Sequence, residues 1–561
     1  MGVDTRSLSV GQRRPSNLRA GAKMENFEFG VLNWTILVVY VIGNLVLGWF
    51  VGKNVNTADD FYIGKKIIPW WAIGLSVVAT YVSALSFLGG PAWSYGSGLS
   101  VVAIHLNYPI VIFLVITFFL PFFYNSGVAS IYDYQERRFG KSSRSVMALI
   151  FLISQALTSA AILYATSLIL QFITGMNVEV AIVITVIIAL VYTYMGGISA
   201  VIWTDVIQAG VLLVGTAIIF YGLIDSLPMS LGDTLASLKE EGKTQSVNFS
   251  VNFTQDTTIW AGVLAMTLYH STVYGGNQMM VQRTLAAKNI GDAKKSYLMM
   301  GYLAFFVYFL FVFLGILLYS YFEGREFENG NTIILEFAAE YGVPGLMGII
   351  AAAVVAASMS SLDSSFNSLS TVTTIDFYQK YFKKDGSPEH YLKATRIFTI
   401  LWAILIIFPA IMYASSEGSI LKTLSKIGSY FIGAKLAMYG LGFFSKHTTE
   451  KGLLIGVGAG FLMIWWLATS TDIAWPWYCV FGAAVNIGVS LPLSIMLDGK
   501  KDVWHPYTIK GQIAKCAEEG LPEKDGNWYQ IPGMVDKSSW LLIVFFVATV
   551  IFLIAFESFI G

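Results

Sequence analysis

The residues SVVATYVSALSFLGGPAWSYGSG (76–98) are apolar enough for a membrane-spanning helix, yet they carry Gly-Gly-Pro near the middle. The segment WAGVLAMTLYHSTVYGGNQMMVQR (260–283) carries a second Gly-Gly pair. Glycine and proline free backbone groups within a membrane, and protein, ion or water must then satisfy them. Either pair alone is equally well explained by close helix packing through small residues. Two interrupted helices at matched positions favour an inverted-repeat transporter, in which unwound carbonyls hold a cation near the membrane midplane.

The composition of the whole chain is that of a polytopic membrane protein. Its 561 residues are 55% hydrophobic and 12% charged, with a mean hydropathy of +0.64, which is too apolar for a soluble core of this length. A spanning helix needs about 20 apolar residues. Fourteen such segments can be counted: 31–50, 70–96, 101–123, 146–172, 179–195, 203–225, 257–280, 297–321, 344–375, 394–414, 420–444, 452–469, 474–497 and 539–559. We therefore predict an all-α membrane protein of about fourteen transmembrane helices, with the second and seventh broken.

The positive charges sort the loops into two sides. Counted alternately from the first helix, the loops on one side hold nearly all of the lysine and arginine residues, including six lysines from Lys500 to Lys537. The opposite loops hold only Lys239, Lys243 and Arg325. Short cytoplasmic loops retain positive charge, so we expect both termini to be extracytoplasmic and the polar segment 498–538 to be cytoplasmic. Residues 1–30 lack the apolar core of a signal peptide and are interpreted as a disordered leader.

The segment AAAVVAASMSSLDSSFNSLSTVTTID (351–376) turns from apolar to hydroxyl-rich along one helix. Five serines fall on one face of that helix: Ser360, Ser361, Ser364, Ser365 and Ser368. Hydroxyl oxygens inside a helix bundle suit a hard cation such as Na⁺, although each serine taken alone is as well explained by a bond to the preceding turn. Asp363 strengthens the first interpretation, because an acid at membrane depth is costly and indicates an ion or proton site.

Four segments resemble the signatures of the sodium/solute symporter family, which includes the bacterial sodium/galactose and sodium/sialic acid symporters. They are DFYIGKKIIPWWAIGLSVVATYVSA (60–84), GGISAVIWTDVIQ (196–208), QRTLAAKN (282–289) and SMSSLDSSFNS (358–368). The resemblance runs from about 31 to 470. It implies a leucine-transporter-type core of five plus five helices at 70–444, an extra first helix at 31–50 and accessory helices at 452–561, with Na⁺ as the coupling ion.

The resemblance also implies two cation sites. The main sodium site would use the carbonyls of Ala79, Val82 and Ala357 and the hydroxyls of Ser360 and Ser361, a neutral cage that can release Na⁺ inside the cell. Some members bind a second cation through the acid of the WTD motif and further serines, which here are Asp205, Ser360 and Ser364. This chain has Asp363 where such members have serine. Asp363 would strengthen the second site, replace it with a proton site or pair with a basic group.

A solute pocket is expected between the broken helices. The positions that match the galactose pocket are Ser86, His105, Tyr108, His270, Ala304 and Ser425, and four of these differ from the galactose-binding residues. The arginine that clamps the carboxylate in the sialic acid symporter aligns with Thr158, so neither solute is expected to bind in the relatives' way. Tyr274 is the expected substitute for the inner aromatic gate. Each histidine alone could equally be a partner in helix packing.

Lys435 lies about midway along a predicted helix, at membrane depth. Its ammonium group would bind an anionic solute or neutralise Asp363. The alternative is a lysine that extends along its helix to reach water.

Together these features predict a sodium-coupled symporter of the plasma membrane that imports a small polar solute by alternating access. A sugar or sugar derivative is expected first, and a small carboxylate or other anion is the alternative because of Lys435. A channel would need charge rings or filter repeats, a transporter-like sensor would need a signalling domain, and the sequence shows neither. It also contains no P-loop, nucleophile elbow or metal-spaced cysteines, so no enzyme is expected. The net charge of zero argues against a nucleic-acid partner, which leaves Na⁺, the solute and the bilayer.

Overall fold

The computed structural model describes residues 29–52, 67–126, 130–414 and 419–560, and for residues 191–197 the backbone only. The described chain is almost entirely helical, with one antiparallel hairpin formed by β1 (Lys524–Asp525) and β2 (Trp528–Tyr529). The predicted leader lies almost wholly outside the described residues.

The helices are numbered in the order in which they follow one another along the chain. Those of the first half are α1 (Gly30–Gly52), α2 (Trp70–Tyr81), α3 (Ala84–Ser97), α4 (Tyr108–Leu114), α5 (Leu120–Ser126), α6 (Ile131–Arg138), α7 (Lys141–Thr174), α8 (Val178–Ser226), α9 (Leu231–Glu240), α10 (Met266–Gly275) and α11 (Gln278–Leu285). Those of the second half are α12 (Ile290–Tyr321), α13 (Ile333–Tyr341), α14 (Leu346–Val372), α15 (Pro388–Leu405), α16 (Ile407–Tyr413), α17 (Ile420–Phe444), α18 (Glu450–Ser470), α19 (Pro476–Asp498), α20 (Ile509–Glu518) and α21 (Lys537–Phe559). Tighter or wider helical turns occur at Leu99–His105, Val115–Phe119, Ala261–Ala265, Gly330–Thr332 and Thr373–Phe382.

Eleven of the described helices are long and apolar enough to cross a membrane, or twelve if α2 and α3 form one bent span. This confirms an all-helical membrane protein. The predicted fifth and sixth segments both lie within α8, where the fifth corresponds only to the shorter apolar stretch Val178–Leu190. The predicted seventh segment is divided into short pieces around α10 and α11. The count of fourteen therefore stays a prediction.

The break in the second predicted segment lies at Val82 and Ser83. Val82 has φ −83° and ψ 78°, Ser83 has φ −96° and ψ 178°, and α2 and α3 meet at 52°. The Gly-Gly-Pro triplet, where the sequence pattern had indicated the interruption, lies inside α3. A Cβ on Gly89 would come within 2.8 Å of Leu421 Cβ, closer than real Cβ atoms approach. Gly89 therefore permits close packing of α3 against α17, as the alternative interpretation held.

The second Gly-Gly pair does mark an interruption. Helix α10 ends at Gly275, and the chain leaves helical geometry at Gly276 (φ −118°, ψ 27°) and Asn277 (φ −113°, ψ 134°). The Asn277 side chain then accepts a hydrogen bond from Met279 N at 3.0 Å and caps α11. A Cβ on Gly275 would clash with the Phe119 ring. The close approach of the Phe119 ring to Gly275 and of the Tyr439 ring to Gly276 requires small residues here.

Helix α14 is the central helix of the described bundle. Every residue from 346 to 372 is buried except Ile349, and the helix packs against α1, α2, α7 and α8. Its second half carries the serines and Asp363, so a stripe of polar side chains runs through the middle of the protein. Polar groups at this depth need hydrogen-bond partners within the protein, and the partners that other helices supply define the candidate site.

The polar segment that follows α19 packs against the helix bundle. Asp536 forms a buried ion pair with Lys294 of α12, at 2.6 Å, and also accepts a hydrogen bond from Tyr529 N at 2.8 Å. Gly533 N donates to Thr117 O at 2.8 Å. These contacts tie the hairpin to α12 and to the turn Val115–Phe119.

Candidate functional site

Ser361 joins the central helix to the break in α2–α3. Its hydroxyl donates to Thr80 O at 2.9 Å and to Ala357 O at 3.3 Å. Because α2 ends at Tyr81, some carbonyls of its last turn lack a helical partner and can bind other groups. Of the predicted sodium ligands, Ala79 and Val82 lie at this break and Ala357 lies on α14, and all three residues are buried. The residues present therefore supply the oxygen donors that Na⁺ prefers.

Ser360, the other predicted hydroxyl ligand, is turned toward α8. Its hydroxyl donates to Asp205 Oδ1 at 2.6 Å. The two neighbouring serines thus serve different partners: Ser361 contacts the broken helix, and Ser360 contacts the acid of the WTD motif.

Asp205 is held by a buried arginine. Arg283 Nη2 lies 3.0 Å from Asp205 Oδ2, and both side chains have no exposed surface. Arg283 also donates to Ser76 Oγ at 2.8 Å and to Ser364 Oγ at 2.6 Å, while Ser76 donates to Asp205. A guanidinium group therefore lies between Asp205 and Ser364, the residues predicted to bind a second cation. The sequence pattern did not predict this role of Arg283, although the segment QRTLAAKN contains it.

Asp363 is buried on α14, one turn from Ser360. Its Oδ1 accepts a hydrogen bond from Ser364 N at 2.7 Å. Lys435, proposed from sequence as a neutralising partner for Asp363, donates to Ser154 Oγ at 2.8 Å. Helix α17 thus places the ammonium group of Lys435 against α7, and its pairing with Asp363 stays a prediction.

One cavity of about 150 Å³ opens beside the break in α2–α3. Most of the positions predicted for the solute pocket lie on its wall: Ser86, His105, Tyr108, Thr158, His270, Tyr274, Ser425 and Lys435. Ala304 is not among the described residues that line it. Ser361 lies on the same wall. The candidate sodium ligand and the candidate solute residues therefore share one space.

Aromatic rings make up one side of the cavity. The rings of His105 and Tyr308 stack with centroids 3.9 Å apart and an angle of 10°, and Tyr108 stacks on His270 at 5.0 Å. Tyr308 OH lies 3.0 Å from Ser86 Oγ and donates to Tyr81 O at 3.0 Å. Tyr308 was not identified from the sequence. The one available signal was its position four residues after Ala304 in a predicted helix.

Lys435 supplies the positive charge of the cavity. It is buried, and Nζ lies 5.8 Å from the centroid of the Phe151 ring. No acidic side chain is found among the described residues that line the cavity. An ammonium group without a carboxylate in the same cavity is suited to an anionic group of the solute.

The comparison with family models agrees with this geometry. The model described as the sodium:solute symporter family matches residues 61–460, which is more than half of the chain. The chain belongs to the sodium:solute symporter family. The symporter is therefore sodium-coupled and a transporter rather than an enzyme.

Individual relatives cover most of the symporter's length. A sodium/sialic acid symporter of Proteus mirabilis is 28% identical over 82% of this chain and 94% of its own. A sodium/glucose cotransporter of Vibrio parahaemolyticus is 30% identical over 78% of this chain and 85% of its own. The human sodium-coupled monocarboxylate transporter 1 is 28% identical over 76% of this chain and 70% of its own.

A solved structure shows the same fold. The substrate-bound outward-open state of a Na⁺-coupled sialic acid symporter has a TM-score of 0.78 and 27% identity, and it covers 85% of this chain and 100% of that chain. The symporter thus shares the architecture of leucine-transporter-type proteins.

Tyr274 of the symporter lies beside the break in the second helix. Its ring is 4.7 Å from that of Tyr81, the last residue of α2, and it meets Tyr108 edge-on at 5.7 Å. Tyr81 OH donates to Val273 O at 3.4 Å. The two interrupted helices therefore touch through aromatic side chains at the cavity wall, where a gate was expected.

Glu136 lies on α6, outside the candidate membrane spans, and pairs with residues near the ends of two of those spans. Glu136 pairs with Arg144 at 2.8 Å and with Lys380 at 2.5 Å. Burial alone would raise the pKa of Glu136, but hydrogen bonds and the charges of Lys380 and Arg144 outweigh it and hold the pKa below its ordinary value. The network joins α6 to α7 and to the end of the central helix.

Acid is expected to weaken this network. A carboxylate whose pKa is lowered by folding contributes stability above its unfolded pKa, about 4.3 for Glu, and loses that stability as the pH falls through the folded value. We expect Glu136→Gln to be less stable than the wild type at pH 7 and to lose less stability on acidification below about pH 4.3. Thermal unfolding of the wild type and Glu136→Gln at pH 7 and pH 3.5 measures both differences in stability. An equal loss of stability on acidification in the two proteins would contradict the stabilising role of the Glu136 carboxylate.

Proposed function

We propose that the symporter imports a small polar solute together with Na⁺ by alternating access, through the cavity beside the broken second helix. The observation that carries the proposal is the position of Ser361. Its hydroxyl binds the carbonyl of Thr80 at the break, and the same residue lines the cavity. Na⁺ bound there would draw α14 and α2 together next to the solute, so that occupancy of one site favours occupancy of the other. The main sodium ligands are then Ala79, Val82, Ala357, Ser360 and Ser361.

A sugar or sugar derivative is the preferred solute. The wall presents hydroxyl, imidazole and phenol groups on an apolar frame, which suits a ring that carries several hydroxyl groups. A cavity of about 150 Å³ is the size that holds one benzene molecule, so a solute with about one six-membered ring fits best. The relatives named for glucose and sialic acid support this class.

A small carboxylate is the second candidate, and Lys435 is the observation that favours it. The human monocarboxylate transporter among the relatives supports this class. We expect Lys435→Met to weaken the binding of acids by about tenfold to a hundredfold, because that is the effect of losing a hydrogen bond to a charged group. Na⁺ binding should be retained. Lys422→Met on the same helix is the control, because Lys422 is half exposed and pairs with Asp256 away from the cavity wall. Equal acid affinity in both variants would exclude the carboxylate.

A second cation site at Asp205, Asp363 and Ser364 remains part of the proposal. Arg283 already neutralises Asp205, so an additional cation would rely on Asp363. The ratio of Na⁺ to solute taken up by proteoliposomes measures whether one or two cations move per cycle.

The proposed topology has fourteen spans in the plasma membrane, with both termini extracytoplasmic. The core occupies 70–444 between the extra helix 31–50 and the accessory helices 452–561, and the loop 498–538 is cytoplasmic. The ion pair of Asp536 with Lys294 supports this topology, because the topology places both residues on the cytoplasmic side. Labelling of single cysteines introduced at Lys243 and Lys524 with a membrane-impermeant reagent tests the two sides.

The experiment that tests the function measures thermal stability against sugars, sugar acids, monocarboxylates and amino acids, each in Na⁺ and in K⁺. A ligand at a hundred times its Kd stabilises the folded state by about 2.7 kcal/mol, so weak binders are visible at millimolar concentration. A shift seen only in Na⁺ supports the symporter and names the solute class. Equal shifts in Na⁺ and K⁺ would contradict coupling at this cavity.

A further inference from the structure

Asn107 is a fully buried amide between the turn Leu99–His105 and α4. Its Nδ2 donates to Ile104 O at 2.8 Å and to Gly262 O at 3.0 Å. Carbonyl oxygens only accept hydrogen bonds, so these two contacts establish which end of the amide is nitrogen. The oxygen Oδ1 must then point to the remaining neighbour, which is His270.

His270 Nδ1 lies 2.7 Å from Asn107 Oδ1. An amide oxygen cannot donate, so Nδ1 must carry the proton of this hydrogen bond. No acidic side chain occurs among the described residues that line the cavity, and a buried imidazolium without a counter-ion would be costly. The ring is therefore neutral, and its other nitrogen, Nε2, has a lone pair and no proton.

Two neighbouring aromatic rings also fix the orientation of the His270 ring plane. Tyr108 stacks on it at 5.0 Å and 24°, and Tyr269 meets it edge-on at 5.3 Å and 88°. Since Nδ1 is taken by Asn107 and His270 lines the cavity, Nε2 is the ring nitrogen left for the solute.

We propose that Asn107 is a positioning residue that holds His270 as a hydrogen-bond acceptor, and that His270 selects solutes presenting a hydroxyl or N–H donor to Nε2. This inference rests on the proposed function in taking the cavity as the solute site. It assigns donor recognition to His270 and anion recognition to Lys435. The preferred solute is then a hydroxylated one, and a carboxylate, if the solute has one, faces Lys435.

Nitrogen NMR of the full-length protein labelled with ¹⁵N-histidine tests the positioning directly. The chain contains five histidines, and the resonances of His270 are assigned by their loss in His270→Phe. We expect a protonated Nδ1 and an unprotonated Nε2 for His270. Asn107→Leu, which removes the acceptor oxygen, should give a mixture of the two tautomers. A protonated Nε2 in the wild type would overturn the proposal, whatever the transport activity.

Matched solutes test the selectivity in the presence of Na⁺. The probes are D-glucose with its monodeoxyfluoro derivatives, and L-lactate with 2-methoxypropionate, because fluorine and methoxy groups accept but do not donate hydrogen bonds. For the pair that binds, we expect the derivative lacking the critical donor to bind about tenfold or more weakly, and His270→Phe to bind both members equally. Derivatives that all bind the wild type as tightly as their parents would overturn the selectivity. If no probe shows Na⁺-dependent binding, the proposed function fails, and the NMR result decides the positioning separately.

Discussion

Ser361→Ala is expected to abolish sodium-dependent solute binding while the protein still folds. The variant removes the hydroxyl that bridges Thr80 O and Ala357 O and keeps the Cβ atom as a methyl group. The bound Na⁺ would lose one of its five oxygen ligands. A hydrogen bond to a charged group contributes about 1.5–3 kcal/mol, and a loss of that size corresponds to about a tenfold to hundredfold weaker Na⁺ affinity. At Na⁺ concentrations near the wild-type Kd, a loss of this size removes most of the response to Na⁺.

The same helix supplies a matched control for that variant. Ser370 is equally buried, and its hydroxyl donates to Phe366 O at 2.7 Å within its own helix, so Ser370→Ala should keep full sodium dependence. Thermal stability and solute uptake, each titrated with Na⁺, compare the two variants. Undiminished Na⁺-driven uptake by Ser361→Ala would defeat the assignment of the main sodium site.

Arg283→Met is expected to be the most destabilising single change. It leaves the carboxylate of Asp205 buried without its cation, and breaking a buried pair from one side costs about 3–5 kcal/mol. The double variant Asp205→Asn/Arg283→Met removes both charges and should recover a substantial part of that loss. Denaturant unfolding in detergent or thermal unfolding measures the series.

An exposed pair provides the comparison for Arg283. Lys295 lies 3.1 Å from Asp292 with 42% of its side chain exposed, and Lys295→Met should cost at most about 1 kcal/mol. If Arg283→Met were no more harmful than Lys295→Met, or if the double variant were no better than the single one, the ion pair would not be the group that stabilises this part of the bundle.

The buried pair also bears on the coupling ion. Because Arg283 lies between Asp205 and Ser364, removing it would open the predicted second cation site. The ratio of Na⁺ to solute taken up by the folded fraction of the Arg283→Met variant tests this. A changed ratio would show that the guanidinium group and a cation compete for the same oxygens.

Much of the architecture followed from local patterns. Apolar runs of spanning length predicted the helices, since the bilayer demands them, and the serine spacing predicted a polar face on one helix, which α14 carries at the centre of the bundle. Most of the residues proposed to line a pocket did come together in one cavity. That grouping came from the family resemblance, because nothing in the spacing of His105 and His270 along the chain brings them together.

The sequence alone therefore determined that the protein is a helical membrane protein with one hydroxyl-rich helix, because hydropathy and helical periodicity act over a few neighbouring residues, and its motifs resembled those of the symporter family. Tertiary packing decided the rest. Gly89 marks close packing rather than a break because Leu421, on a distant helix, fills the space beside it. Arg283 meets Asp205 from 78 residues away, and Asn107 sets the proton of His270 from 163 residues away. Such contacts depend on which helix faces meet, and the spacing of residues within one helix does not contain that information.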